Sequence, residues 1–198
     1  MLRLFKKKIE PLPLGVGPEE LAWLVGGRSG NLFSAHGLSC SEAVLVVLDK
    51  GLGGGLGVEK ALGLGSGFGG GIGGAGCVCG ALSGAVMGLG LFLGAGCWAG
   101  HDKKELRRQV AGLHDRFSER SGSACCRSLI ADFRGKRTER RHFCADLTVW
   151  AAREAAQLIL AARPELIATA DLAYLTGRDS RFAALAERLL KGVTPGGA

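Results

Sequence analysis

Apolar residues recur along most of this chain at the spacing of one face of an α-helix. Within residues 102–120, Leu106, Val110, Leu113 and Phe117 stand three or four positions apart, which predicts an amphipathic helix. Residues 180–191 repeat the pattern, residues 143–162 predict a long Ala-rich helix, and residues 124–133 a short one. Residues 18–25 begin on a proline at a first-turn position and run into Gly26-Gly27, the punctuation expected at a helix end. Ser39 followed by Glu42 predicts a capping box in front of 43–48. No run of alternating β-branched residues argues for a sheet, so the expected fold class is all-α. It is a helical bundle with glycine-rich loops at 51–57 and 63–76.

One stretch departs from this amphipathic pattern. Residues 61–100 carry no charged side chain, a length that would suffice for two bilayer crossings. Residues 64–76 are too glycine-rich for a stable lipid-facing helix, since each Gly costs about 1 kcal/mol relative to Ala. Residues 77–98 are left as the single plausible span. There Gly76, Gly80, Gly84 and Gly88 recur every four residues, placing them on one helical face that permits close approach of another helix. That stripe fits a membrane dimer or a homo-oligomer, but a helix apolar all round is equally expected at the centre of a bundle. A buried central Gly-stripe helix is the reading adopted, with membrane association not favoured.

Composition sharpens the division of the chain. Of 34 glycines, 27 fall in the first hundred residues, and 47% of all residues are hydrophobic. Residues 1–100 hold 7 Lys/Arg against 6 Asp/Glu, whereas 101–198 hold 18 against 12, so the positive excess belongs to the second half. Its basic residues are interleaved with acids, which favours a solvated helical surface over nucleic-acid binding. The densest basic stretch, 134–141, has no interleaved aromatic residue and is expected to be a basic loop able to dock an acidic partner protein. Three segments are expected: residues 1–33 with one helix, a cysteine-bearing helical domain over 34–162, and a C-terminal helical appendage over 163–198 set off near Pro164. The N-terminus has charge but no apolar stretch of export-signal length, which predicts a cytoplasmic protein.

Seven cysteines in a reducing compartment point to metal binding or redox work more than to disulfide scaffolding. Cys40 falls at the start of the Glu42 helix, Cys79 begins the Gly-stripe helix, Cys125 and Cys126 open the short helix, and Cys144 opens the long one. Helix N-termini present unpaired N–H groups and partial positive charge, which stabilise a thiolate. Gly80 and Gly84 beside Cys79 allow close backbone approach, and Arg127 is expected to lower the pKa of Cys126. Cys97 reads as a small apolar core residue. Cys77 and Cys125 are possible additional members of the site. A GxGxxG match at Gly65–Gly70 lacks a preceding strand and a following acid, and in so glycine-rich a tract it has no weight.

The contexts of these cysteines resemble the redox-active proteins named after the pattern C_GCAxxG_C_C. Cys79-Gly80-Ala81-Leu82-Ser83-Gly84 and the following Ala85-Val86-Met87-Gly88-Leu89-Gly90 carry the likeness, with Cys and Gly in the opposite order from the family's name. Cys40-Ser41-Glu42-Ala43-Val44-Leu45, the glycine-rich Phe68-Gly69-Gly70-Gly71-Ile72-Gly73, Cys126-Arg127-Ser128-Leu129-Ile130 and Cys144 complete it, over roughly residues 34–150. The resemblance implies a redox role for Cys40, Cys79, Cys126 and Cys144. Related domains occur in split-Soret type cytochromes, but no CxxCH stands here and covalent c-type haem is not expected.

Three functions follow as alternatives. Cys40, Cys79, Cys126 and Cys144 could hold an iron–sulfur cluster or another metal and pass electrons to a redox partner protein. Two of the same thiols could cycle to a disulfide, although no thioredoxin-like CxxC accompanies them. A membrane or interaction protein is the third alternative, resting on the uncharged run.

Overall fold

A computed structural model describes residues 15–94 and 103–180, and these form nine α-helices joined by turns. Among the described residues the sole extended pairing is one isolated antiparallel bridge, Val78 with Cys125. The all-α expectation is met. The residue 180–191 helix, Cys97 and the end of the 77–98 span lie outside the described residues.

At the centre runs α2 (Cys40–Leu52), whose residues Ala43 to Leu48 are all buried. Its N-terminus is fixed by the capping box that the sequence predicts: Ser39 Oγ accepts from the Glu42 N–H at 3.3 Å, and Glu42 Oε2 accepts from the Ser39 N–H at 2.6 Å. Such reciprocal caps satisfy two donors that the first turn cannot pair. Around it pack α1 (Pro18–His36), α3 (Val58–Ser66), α4 (Gly80–Leu93) and α7 (Arg137–Ala162). On the far side of α4 lies α5 (Lys104–Ser121), which sends Leu113 and Phe117 inward; the Phe117 ring meets Trp150 of α7 edge-on, with centroids 5.7 Å apart. Burying each such side chain is worth about 1.5–3 kcal/mol.

The Gly-stripe helix is α4, and its glycine face is covered by α2. A Cβ on Gly84 would lie 2.7 Å from the Ser41 carbonyl oxygen and 2.9 Å from Val44 Cβ, and one on Gly88 would strike Leu48. Gly76 does not belong to the stripe. It sits in the turn before α4 with φ +75°, where Arg127 fills the space a Cβ would take. Among the described residues no helix is long and apolar enough to cross a membrane.

Three helix boundaries differ from expectation. Gly26-Gly27 does not end α1, which continues to His36, because Gly26 and Gly30 form the face on which α7 lies: Cβ atoms there would meet Val149 O at 2.8 Å and Val149 Cγ2 at 2.5 Å. Residues 58–66, the last four of which are expected to open the second glycine loop, form α3, whose Gly65 lies against the Glu42 backbone. The basic stretch is a loop only at 134–136. From Arg137 it is the first two turns of α7, so Cys144 does not open that helix.

Residues 163–179 pack back on the bundle through two short helices, α8 (Leu166–Thr169) and α9 (Leu172–Thr176). Leu175 is fully buried against Gly51. Asp179 pairs with buried Arg28 of α1 at 2.8 Å and with His36 at 2.9 Å.

Candidate functional site

Two backbone devices bring distant segments together beside the start of α2. The first is a compact glycine turn at 67–76, in which Gly70, Gly71, Gly73, Gly74 and Gly76 all have positive φ. Gly71 at φ +76° is required twice over. A side chain there would be strained, and its Cβ would stand 2.7 Å from Cys126 Cβ. The second device is the isolated bridge. The Cys79 N–H donates to Ala124 O at 2.8 Å and the Cys126 N–H to Cys77 O at 2.6 Å. Alternation across this pairing turns Val78 and Cys125 to one side and Cys126 to the other.

Cys79 is the N-cap residue of α4, Cys40 is the first residue of α2, Cys126 is the first residue of α6 (Cys126–Leu129), and Cys144 stands about two turns into α7. Gly80 lets the first turn of α4 abut α2, since a Cβ there would be 3.5 Å from Cys40 Cβ and 3.0 Å from Phe68 O. All four cysteines line one pocket of about 330 Å³. Its walls include Phe33, Leu129, Ile130 and Leu147, and Arg137, Arg140 and Arg141 of α7 line it as well. Among the described residues no group of three or more His, Cys, Asp or Glu side chains is gathered to hold a metal ion.

The electrostatics are set by crowding of the sulfurs. The Cys40 and Cys144 thiols share the pocket wall, and each sets the acidity of the other. Cys40 keeps its proton, raised well above the ordinary thiol value by its hydrogen bond to Cys144 and then by burial, while that bond draws Cys144 down to about 7, helped by Arg140. Burial raises Cys79 to about 11, against the Ala81 and Leu82 N–H groups that favour its thiolate. Burial also raises Cys126, aided by the charges of Cys144 and Cys125 and opposed by Arg140. Helix N-termini therefore do not make Cys40 and Cys79 acidic, as the sequence suggests. Desolvation and neighbouring sulfurs outweigh them.

Other expectations separate from the pocket. Cys77 is exposed and contributes its carbonyl to the bridge. Cys125 donates its thiol to Gly76 O at 3.0 Å, and the Ser128 N–H and hydroxyl, with Arg127, hold it below the ordinary thiol value. Arg127 donates to Ala75 O at 2.7 Å and acts on Cys125; the cation that favours the Cys126 thiolate is Arg140. Sequence reasoning misses Arg137, Arg140 and Arg141 as pocket residues because it reads 134–141 as loop. Their spacing from Cys144, at i, i+3, i+4 and i+7 of a single helix, was the available signal.

Residues 38–158, more than half of the chain, match the family described as "Putative redox-active protein (C_GCAxxG_C_C)". No curated protein and no solved structure matches the chain. The matched segment contains Cys40, Cys79, Cys126 and Cys144, and the chain belongs to the C_GCAxxG_C_C family.

Proposed function

We propose that this chain is a cytoplasmic electron-transfer protein in which Cys40, Cys79, Cys126 and Cys144 hold an iron–sulfur cluster and exchange electrons with a partner protein. One observation carries this reading: four cysteines from four separate segments border a single pocket, whereas a disulfide needs two. The donor chemistry fits. Thiolates are the usual ligands of such clusters, and crowded sulfurs that repel one another when ionised gain from a cationic guest. The four cysteines border one cavity, the kind of space a polynuclear guest fills. A cluster there supplies one-electron transfer. The protein's part is to give up the thiol protons on loading, to shield the site with Phe33, Leu129, Ile130 and Leu147, and to offset negative charge with Arg140.

The test is anaerobic purification followed by iron, zinc and acid-labile sulfide analysis and visible absorption on one sample. Iron with sulfide and a broad charge-transfer band is the expected result, abolished by Cys79→Ser and retained in Cys97→Ser. Equal loss in both variants overturns the assignment of the site.

The Cys40–Cys144 pair, with one acidic and one proton-retaining thiol, favours a second reading. In it the Cys144 thiolate attacks a partner disulfide, that S–S bond breaks and a partner thiolate leaves. Cys40 then displaces the second partner thiol, so two protein thiols lose two electrons and two protons. A colourless, metal-free protein whose free thiols fall in pairs on oxidation selects it.

A further inference from the structure

The mouth of the cysteine pocket carries more positive charge than holding sulfur requires. Arg141 is committed to the fold: its Nη2 donates to Phe33 O at 3.3 Å and Ser34 O at 3.0 Å, and its guanidinium lies over the Phe33 ring. Arg137 and Arg140 are exposed and have no salt-bridge partner among the described residues, yet both line the pocket. They lie three residues apart on one face of α7. Arg137 is also the first residue of this 26-residue helix, which has no side-chain cap, so unpaired N–H groups of its first turn add to the positive potential there. Opposite them stand the apolar walls, Phe33, Leu129, Ile130 and Leu147. Small-molecule sites join apolar walls to a few polar groups that fix orientation, and the mouth of this pocket has both.

We propose that this pocket mouth binds a small organic anion, an apolar body bearing carboxylate or sulfonate groups, with Arg137 and Arg140 on its charged end and its body against Phe33, Leu129 and Ile130. Guanidinium groups suit such headgroups because their planar fork donates two parallel hydrogen bonds. The inference rests on the reading of the pocket as a redox centre for its meaning, since the ligand would lie beside the sulfurs as an electron donor or acceptor. Its test involves no electron transfer, so the two readings fail separately.

The probe is anthraquinone-2,3-dicarboxylate, whose two charges share one end, titrated calorimetrically into the full chain at low and at moderate salt, beside the neutral 2,3-bis(hydroxymethyl) analogue. We expect one site per chain for the dianion, weakened by salt, and binding of the neutral ring at least tenfold weaker. Arg137→Gln and Arg140→Gln should each weaken the dianion about tenfold, the scale of one charge-assisted hydrogen bond, while Arg134→Gln, outside the pocket lining, leaves it unchanged. Both arginines are exposed and unpaired, so these variants fold; far-ultraviolet circular dichroism checks this. Occupancy should also slow alkylation of Cys144 by neutral iodoacetamide in metal-free protein. Equal affinity for the charged and neutral rings, an equal loss in Arg134→Gln, or no binding of the dianion overturns the proposal.

Discussion

The contact between α2 and α4 can be measured by adding one methyl group. In Gly84→Ala the new Cβ would lie 2.7 Å from Ser41 O, 2.9 Å from Val44 Cβ and 3.0 Å from Ser41 Cα. Two of the three neighbours are backbone and cannot turn to another rotamer, so α4 must move away from α2. Overpacking of this kind costs about 1–3 kcal/mol, while replacing a helical Gly by Ala returns about 1 kcal/mol. Gly63→Ala in α3 supplies the control. It is exposed, with nothing within 4 Å of its added Cβ, so only the propensity gain remains. The difference between the two variants removes propensity and leaves the contact, about 2 kcal/mol. For a chain of this size that separates their melting temperatures by about 4–8 °C, with Gly63→Ala above the parent and Gly84→Ala below it. Thermal and urea unfolding under reducing conditions are the assays. Ser41 adjoins Cys40, so the rate of Cys144 alkylation should change in Gly84→Ala and not in Gly63→Ala. Equal melting temperatures for the two variants would refute the claim that the glycine face is there for close packing.

Three further outcomes rest on the same geometry. In metal-free protein, alkylation of Cys144 should rise with pH around a midpoint near 7, and Cys40→Ala, which removes the donor, should move that midpoint upward, since its largest cause is the Cys40 hydrogen bond; an unmoved midpoint contradicts the pairing. Cys40 and Cys79 are raised above the free-thiol value, Cys79 to about 11, so the fold prefers their neutral forms. Their contribution to stability is intact below about pH 9, the unfolded thiol range, and is lost as pH rises above it, for Cys79 through about 11. Denaturation midpoints should therefore fall across that window in metal-free protein, and less so in Cys79→Ala. Asp49 is buried and accepts from the Leu56 and Gly57 N–H groups at 2.8 and 3.0 Å, so Asp49→Ala should cost about 2–3 kcal/mol in urea unfolding, and a loss under 0.5 kcal/mol contradicts its role in holding the α2–α3 turn.

How far the sequence reveals this architecture depends on whether the signal is local. The capping box at Ser39 and Glu42 is complete within four residues and was legible. The Gly84 and Gly88 stripe was legible as a close-packing face, although its partner, α2, could not be read from spacing. Gly26-Gly27 looked like a stop because a local rule took no account of Val149, more than a hundred residues away. Arg137–Arg141 looked like loop because the first turns of α7 carry their meaning on the pocket side, where charge replaces the apolar residues that mark an amphipathic helix. At the pocket, the cysteine contexts single out Cys40, Cys79, Cys126 and Cys144, and the fold places all four on one cavity. Their acidities were not legible, because these depend on burial and on sulfurs contributed by other segments.

The isolated bridge between Val78 and Cys125 has a consequence for the order of assembly. Cys40 and Cys79 emerge from synthesis well before the strand partner of Cys79, and Cys144 follows later still. Until residues 124–126 reach the glycine turn and α7 docks on α2, the two early thiols face an unfinished wall. Under either proposed reading, loading of a cluster or oxidation of the Cys40–Cys144 pair therefore awaits the completed chain. A truncation before α7 leaves Cys40 and Cys79 without Cys144 and the arginines that close the pocket.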